Sequence, residues 1–129
     1  MEIQNNKPFV PKVSEKRILK LIRQWENKRL YIKPNYKIND LSEDINVNYK
    51  YISYVINKNF GMSFSNYMNS LRLKEMEMFI KYLNKGKEIN LTLLSKKLGF
   101  SSYFQFAHYI KKYYGIAPRE YFENIVNKK

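Results

Sequence analysis

The sequence predicts an all-α fold: two three-helix, homeodomain-like helix-turn-helix units joined by one long linker helix, about seven helices in all. Three observations predict it. Apolar residues recur at helical spacing, and no segment shows sustained period-two alternation between hairpin turns. Asn and Ser residues suited to helix caps, and Gly residues suited to helix stops, divide the chain into short segments. A stretch that begins at Leu41 returns in its pattern of apolar, capping and stop residues from Leu94, one residue longer in its turn.

Residues 1–13, MEIQNNKPFVPKV, carry two prolines and little periodicity and read as a flexible tail or linker. Ser14 is placed to cap a first helix over 14–29, with Ile18, Leu21, Ile22 and Trp25 at core-facing spacing. The pattern breaks at Pro34–Asn35. Asn39 then caps a short helix through Ile45, with Asp40 and Glu43 in the first turns, where the helix dipole favours anions. Asn48 caps a second over 49–59, with Ile52, Val55 and Ile56 facing inward and Gly61 as the stop. Ser63 caps a much longer helix from Phe64 to Asn84, ended by Gly86, on which Met76 and Met78 read as core filler. Asn90 opens 91–98, closed by Gly99. Ser101 or Ser102 opens the next, which runs to Gly115, and Pro118 starts the last, over 118–127. The organisation is a tail (1–13), a first helix-turn-helix subdomain (14–63), a linker helix (64–84) and a second subdomain (85–129).

The repeat sets LSEDINVNYKYISYVINKNFGMS beside LSKKLGFSSYFQFAHYIKKYYGIA. Each begins Leu-Ser, places an apolar residue four positions on (Ile45, Leu98), turns through a capping Asn or Ser, and continues into a helix ending aromatic-Gly. Short helix, tight turn and longer helix are the layout of a helix-turn-helix. A linker helix over 64–84, at about 1.5 Å per residue, makes a rod of roughly 30 Å. Successive major-groove faces lie about 34 Å apart, so one chain could reach both without dimerising.

Composition narrows the chemistry. The 129 residues are 44% apolar and contain no cysteine, which excludes disulfides, thiolate metal sites and cysteine nucleophiles. No apolar run is long enough to span a membrane and no signal-peptide pattern opens the chain, so the expected location is cytoplasmic. Lys and Arg number 24 against 11 acids, a net charge of +13, which favours polyanions through counterion release. A chain rich in Lys, Asn, Tyr and Ile is also what an AT-rich genome encodes, so charge alone does not decide. One histidine, scattered acids and no Gly-rich phosphate loop leave no catalytic constellation, and no cofactor or metal is implied. RNA binding fits the charge, but neither an aromatic sheet motif nor a GXXG loop is present.

With the core positions removed, the second helix of the first unit presents Lys50, Ser53, Tyr54 and Asn57 on one face. Lysine, serine and asparagine suit base edges or phosphates, and tyrosine can pack on a thymine methyl. The corresponding helix of the second unit presents Phe104, Ala107, His108 and Lys111, with Tyr103 and Gln105 at its N-terminal edge. Backbone contacts are expected at the helix N-termini near Asn48, Ser101 and Ser102, and from Asn57, Lys58, Lys111 and Lys112. Phe104 fits either a core aromatic or a groove residue, and Tyr54 could instead pack on Lys50.

From Lys37 to Phe122 the sequence resembles the AraC/XylS-type DNA-binding domain. The densest match is GFSSYFQFAHYIKKYYGIAPREY (99–121), and INKNFGMSFSNYMNSLRL (56–73), with Arg72, resembles the end of the first unit and the start of the linker. The resemblance implies sequence-specific binding of double-stranded DNA and transcriptional activation through contact with RNA polymerase. It places base contacts on Lys50, Ser53 and Tyr54, and on Tyr103, Phe104, Gln105, Ala107 and His108. Tyr103 and Phe104 stand where the family usually has polar residues, and His108 where it often has Arg. The family domain normally ends a longer regulator; KPFVPKV favours an excised domain over a stand-alone regulator, a monomer as this chain and a dimer within a longer one. The competing reading is a protein-interaction module built on Tyr54, Tyr103 and Phe104.

Overall fold

The computed structural model describes residues 10–80 and 89–128. Helices run in the order α1 (Lys12–Asn27), a one-turn 3-10 helix (Leu30–Ile32), α2 (Ile38–Ile45), α3 (Tyr49–Phe60), α4 (Phe64–Ile80), α5 (Leu91–Lys97), α6 (Tyr103–Tyr114) and α7 (Pro118–Lys128). No strand occurs among the described residues, and the all-α class with two helix-turn-helix units holds. Most of the expected tail, the linker-helix stretch 81–84 and its Gly86 stop lie outside the described residues. The chain divides into two compact units. One comprises the chain up to Leu30 together with Tyr36–Met68, and the other comprises Tyr31–Asn35 together with the chain from Asn69 onward.

Most helix starts follow the caps read from sequence. Asn48 Oδ1 accepts from the Lys50 N–H at 2.8 Å, Ser63 Oγ from Asn66 at 3.2 Å, Asn90 Oδ1 from Leu93 at 3.0 Å and Ser102 Oγ from Gln105 at 3.0 Å. Two starts differ. The first helix begins at Lys12, directly after Pro11, so Ser14 falls inside its first turn rather than capping it. Proline disfavours the helical conformation in the residue before it, which fixes the boundary there. In α2 the Asp40 carboxylate reaches back to the Lys37 N–H at 2.7 Å, and Asn39 lies inside the first turn.

In the first unit, Ile18, Ile22 and Trp25 of α1 meet Leu41 of α2 and Ile52, Val55 and Ile56 of α3, all buried. Leu21, expected inward, is half-buried. The Trp25 indole N–H donates to the Tyr36 hydroxyl at 2.8 Å, and Tyr36 donates to Asp44. Burial, helped by that carboxylate, pushes the Tyr36 phenol well above its ordinary pKa. In the second unit, Leu73, Met76 and Ile80 of α4 pack with Leu94, Leu98, Phe100, Phe106, Tyr109, Ile110 and Phe122. Met76 is core filler as expected; Met78 is 55% exposed and is not, because it sits two residues on, across the helix from Met76.

The sequence repeat is also a repeat of backbone hydrogen bonds. The Ser42 carbonyl accepts from the Val47 N–H at 3.1 Å, and the Ser95 carbonyl accepts from the Phe100 N–H at 3.1 Å. Val47 and Phe100 are both buried. Each turn passes through a left-handed residue, Asn46 (φ 55°) in the first unit and Gly99 (φ 93°) in the second. The second turn cannot carry a side chain there, since a Cβ on Gly99 would lie 2.6 Å from the Ile32 carbonyl oxygen.

Ile32 belongs to a strap, Tyr31–Asn35, that is built into the second unit although the chain on either side of it belongs to the first. Arg72 of α4 holds the strap. Its Nε donates to the Tyr31 carbonyl at 2.7 Å and its Nη2 to the Lys33 carbonyl at 3.5 Å, while Nη1 donates to Asn69 Oδ1 at 2.9 Å. The guanidinium also lies 5.9 Å from the Phe100 ring centroid. Tyr31 in turn donates its hydroxyl to Glu75 at 2.8 Å. Burial lowers the Arg72 pKa from its ordinary value.

Three substitutions test these contacts. Gly99→Ala adds left-handed strain to a backbone overlap and is expected to cost roughly 2–4 kcal/mol. Gly61→Ala, at φ 67° with open space around it, should cost only the strain, about 1–2 kcal/mol. Urea unfolding followed by circular dichroism measures both, and equal losses would refute the Ile32 overlap. Arg72→Lys keeps the charge but loses the fork, and a loss of roughly 2 kcal/mol in the same assay is expected.

Candidate nucleic-acid interface

The second helix of each unit buries one face and exposes the other. On α3, Ile52, Val55 and Ile56 are buried, leaving Lys50, Ser53 and Asn57 exposed and Tyr54 half-buried on the opposite side. Asn48 is exposed at the start of the helix, but its side-chain oxygen is occupied by the cap to Lys50. The cation over the Tyr54 ring is Lys58, 5.8 Å from the centroid, rather than Lys50. Lys58 is itself engaged, its Nζ donating to Glu15 Oε1 at 2.9 Å; Asn59 Nδ2 donates to the other carboxylate oxygen at 3.1 Å. The Lys58 bond, followed by the Asn59 bond, holds Glu15 below its ordinary pKa, and Glu15 holds Lys58 above its own. Sequence could not show this pairing, which joins residues 43 positions apart.

A cleft of about 330 Å³ opens beside the N-terminus of α3, with Ser14, Arg17, Asn46, Asn48 and Tyr51 among its walls. Arg17 is exposed there. Helical spacing marks α1 as core support and does not by itself single out Arg17. The signal for it in the sequence is the basic Lys16–Arg17 pair beside the core position Ile18.

On α6, Phe106, Tyr109 and Ile110 are buried. Phe104 is 83% exposed, which removes the core reading of that residue, and Tyr103 is 39% exposed. His108, Lys111 and Lys112 are exposed, while Gln105 and Ala107 are half-buried. Tyr103 leans on Phe106 with ring centroids 5.9 Å apart, His108 meets Tyr109 edge-on at 5.2 Å, and Lys112 lies 5.6 Å from the Tyr109 centroid. The Gln105 side-chain oxygen accepts from both the Ser101 N–H and the Ser101 hydroxyl, each at 3.0 Å. Bidentate readout of adenine needs that oxygen as well as the amide nitrogen. In this arrangement Gln105 offers the nitrogen alone.

Among the described residues no cluster of three or more His, Cys, Asp or Glu side chains could hold a metal ion, and no helix is long and apolar enough to cross a membrane.

Two helix-turn-helix units, each with an exposed second-helix face, define a DNA-binding domain of the helix-turn-helix class. A family profile described as a helix-turn-helix domain matches residues 41–124, most of the chain, and the protein belongs to this family in its AraC/XylS-type form. Over 91 residues the chain is 24% identical to the Msm operon regulatory protein of Streptococcus mutans serotype c, covering 70% of this chain. It spans only 31% of that regulator's length. The fold is shared with the C-terminal domain of AraT, a response regulator from Geobacillus stearothermophilus (TM-score 0.66, 21% identity, 81% of this chain and 82% of that one). It is shared as well with the C-terminal domain of the two-component response regulator yesN from Fusobacterium nucleatum (TM-score 0.62, 24% identity, 85% and 98%).

The Glu15–Lys58 bond predicts a pH dependence. The folded pKa of Glu15 lies below 4.5, so its contribution to stability is complete above that value and is lost as pH falls through the folded pKa. Wild type should therefore exceed Glu15→Gln in urea resistance at neutral pH, with the gap closing below pH 4.5. A gap that persisted in acid would show that the two side chains do not act as a charge pair.

Proposed function

We propose that this chain binds double-stranded DNA sequence-specifically and regulates transcription, as an activator that contacts RNA polymerase. The observation that carries the proposal is the duplicated helix-turn-helix on a chain of net charge +13, with an exposed face on the second helix of each copy. In this reading α3 reads bases with Lys50, Ser53 and Tyr54, and α6 reads them with Tyr103, Phe104, Gln105, Ala107 and His108. Asn48, Asn57, Lys58, Ser101, Ser102, Lys111 and Lys112 face phosphates, and Arg17 joins them from α1. Lys58 would exchange its bond to Glu15 for one to a phosphate oxygen. The linker length read from sequence suits insertion of the two helices into successive major grooves, with 14–63 and 85–129 as the reading subdomains and the chain acting as a monomer in the cytoplasm.

Selection from random-sequence duplexes tests the proposal. An enriched motif spanning about two helical turns is expected, and none would refute sequence-specific reading. Within it, Lys50→Ala should relax base preference, whereas Lys112→Ala should weaken every sequence alike and reduce the salt slope by about 1. Titrations of matched and mismatched duplexes over a range of salt measure this. Equal losses on all sequences for both variants would remove Lys50 from the base contacts.

A further inference from the structure

Phe104 is the most exposed of the large apolar side chains among the described residues, at 83%, and it occupies the first turn of α6. The N-terminal residues of a recognition helix are the ones that meet base edges. Ala107 follows one turn later on the same face, half-buried, so the two make a short apolar strip. The polar competitor in that turn is tied down, because the Gln105 side-chain oxygen is turned back to Ser101. The surrounding helix carries Lys111 and Lys112 and no acid, so what seats against it is an anionic polymer that presents an apolar group.

In the major groove one base fits that description. Guanine and adenine present mainly hydrogen-bonding groups there and cytosine adds only a C5–H beside its amino donor, whereas thymine presents the C5-methyl. A phenyl ring offers no hydrogen bond, so over a donor or acceptor edge it would desolvate a polar group without replacing its water. Over thymine it buries a methyl. The contact thus both favours thymine and disfavours its rivals.

We infer that the second unit reads thymine through its C5-methyl, with Phe104 as the specificity-determining residue and Ala107 extending the apolar contact. This rests on the DNA-binding reading above and names what the second helix recognises.

The test uses the duplex most enriched by selection, synthesised with deoxythymidine or with deoxyuridine at single positions of the half-site assigned to α6 by footprinting. Deoxyuridine lacks only the methyl. Wild type should lose roughly fourfold in affinity at the contacted position, the equivalent of burying about one CH2 group. Phe104→Ser should lose most of that difference between the two duplexes, and since Phe104 lies outside the core, circular dichroism should show an unchanged fold. The inference is overturned if the half-site contains no thymine, if wild type binds both duplexes equally, or if Phe104→Ser keeps the full deoxyuridine penalty. Failure to bind any duplex at low salt would remove the DNA-binding reading together with this one. Binding without discrimination between thymine and uracil would remove the thymine reading alone.

Discussion

The second unit depends on a buried guanidinium. Arg72 is 6% exposed, and its hydrogen bonds run to the carbonyls of Tyr31 and Lys33 and to the side chain of Asn69. A buried cation of this kind is tolerated only when its donors are occupied, and two of the oxygens that occupy them are carbonyls of a strap outside the α-helices. That strap fixes more than itself. Ile32 sits against Gly99, so the turn before α6 must adopt a left-handed residue without a side chain, and the direction in which α6 leaves the turn follows from it. Phe100, which bonds back to the Ser95 carbonyl, also faces the guanidinium. One charge therefore ties together the strap, α4 and the turn before α6.

The fold was legible because its governing signals are local. Leu41 and Leu94, the serines after them, and the caps Asn48 and Ser102 all act within a few residues of where they stand, and the matching turn bonds at Ser42 and Ser95 are what the repeated letters encode. The two helix starts that differ from the capping pattern are equally local but competitive. Ser14 and Asn39 are good capping types, yet Pro11 and Asp40 set the boundaries first. What the sequence concealed is long-range. Neither the Glu15–Lys58 pair nor the strap held by Arg72 leaves a periodicity, because each joins residues about 40 apart.

The candidate interface was legible in part for the same reason. Helical spacing put Lys50, Ser53, Tyr54 and Asn57 on one face and Phe104, Ala107, His108 and Lys111 on another, and the buried sets Ile52, Val55, Ile56 and Phe106, Tyr109, Ile110 lie opposite them. Spacing says nothing about which polar atoms are already in use. Gln105 spends its side-chain oxygen on Ser101, and Lys58 spends its ammonium on Glu15, commitments that only packed geometry reveals. For Phe104, periodicity left core and surface open, and exposure separates them.

The two faces differ in how salt would act on them. Phosphate contacts from a chain of net charge +13 gain their free energy from released counterions, a gain that shrinks as salt rises and that every DNA sequence provides equally. Such charge brings the chain to DNA without telling one site from another. On the proposed reading, a polar face such as that of α3 would discriminate through hydrogen bonds at base edges. An apolar face such as that of Phe104 and Ala107 would discriminate by removing methyl surface from water, a contribution with no counterion term. Raising the salt therefore erodes what is common to all sequences while leaving the apolar discrimination in place. On a chain this basic, an exposed aromatic on a reading helix is where selectivity can persist after the electrostatic attraction has been screened.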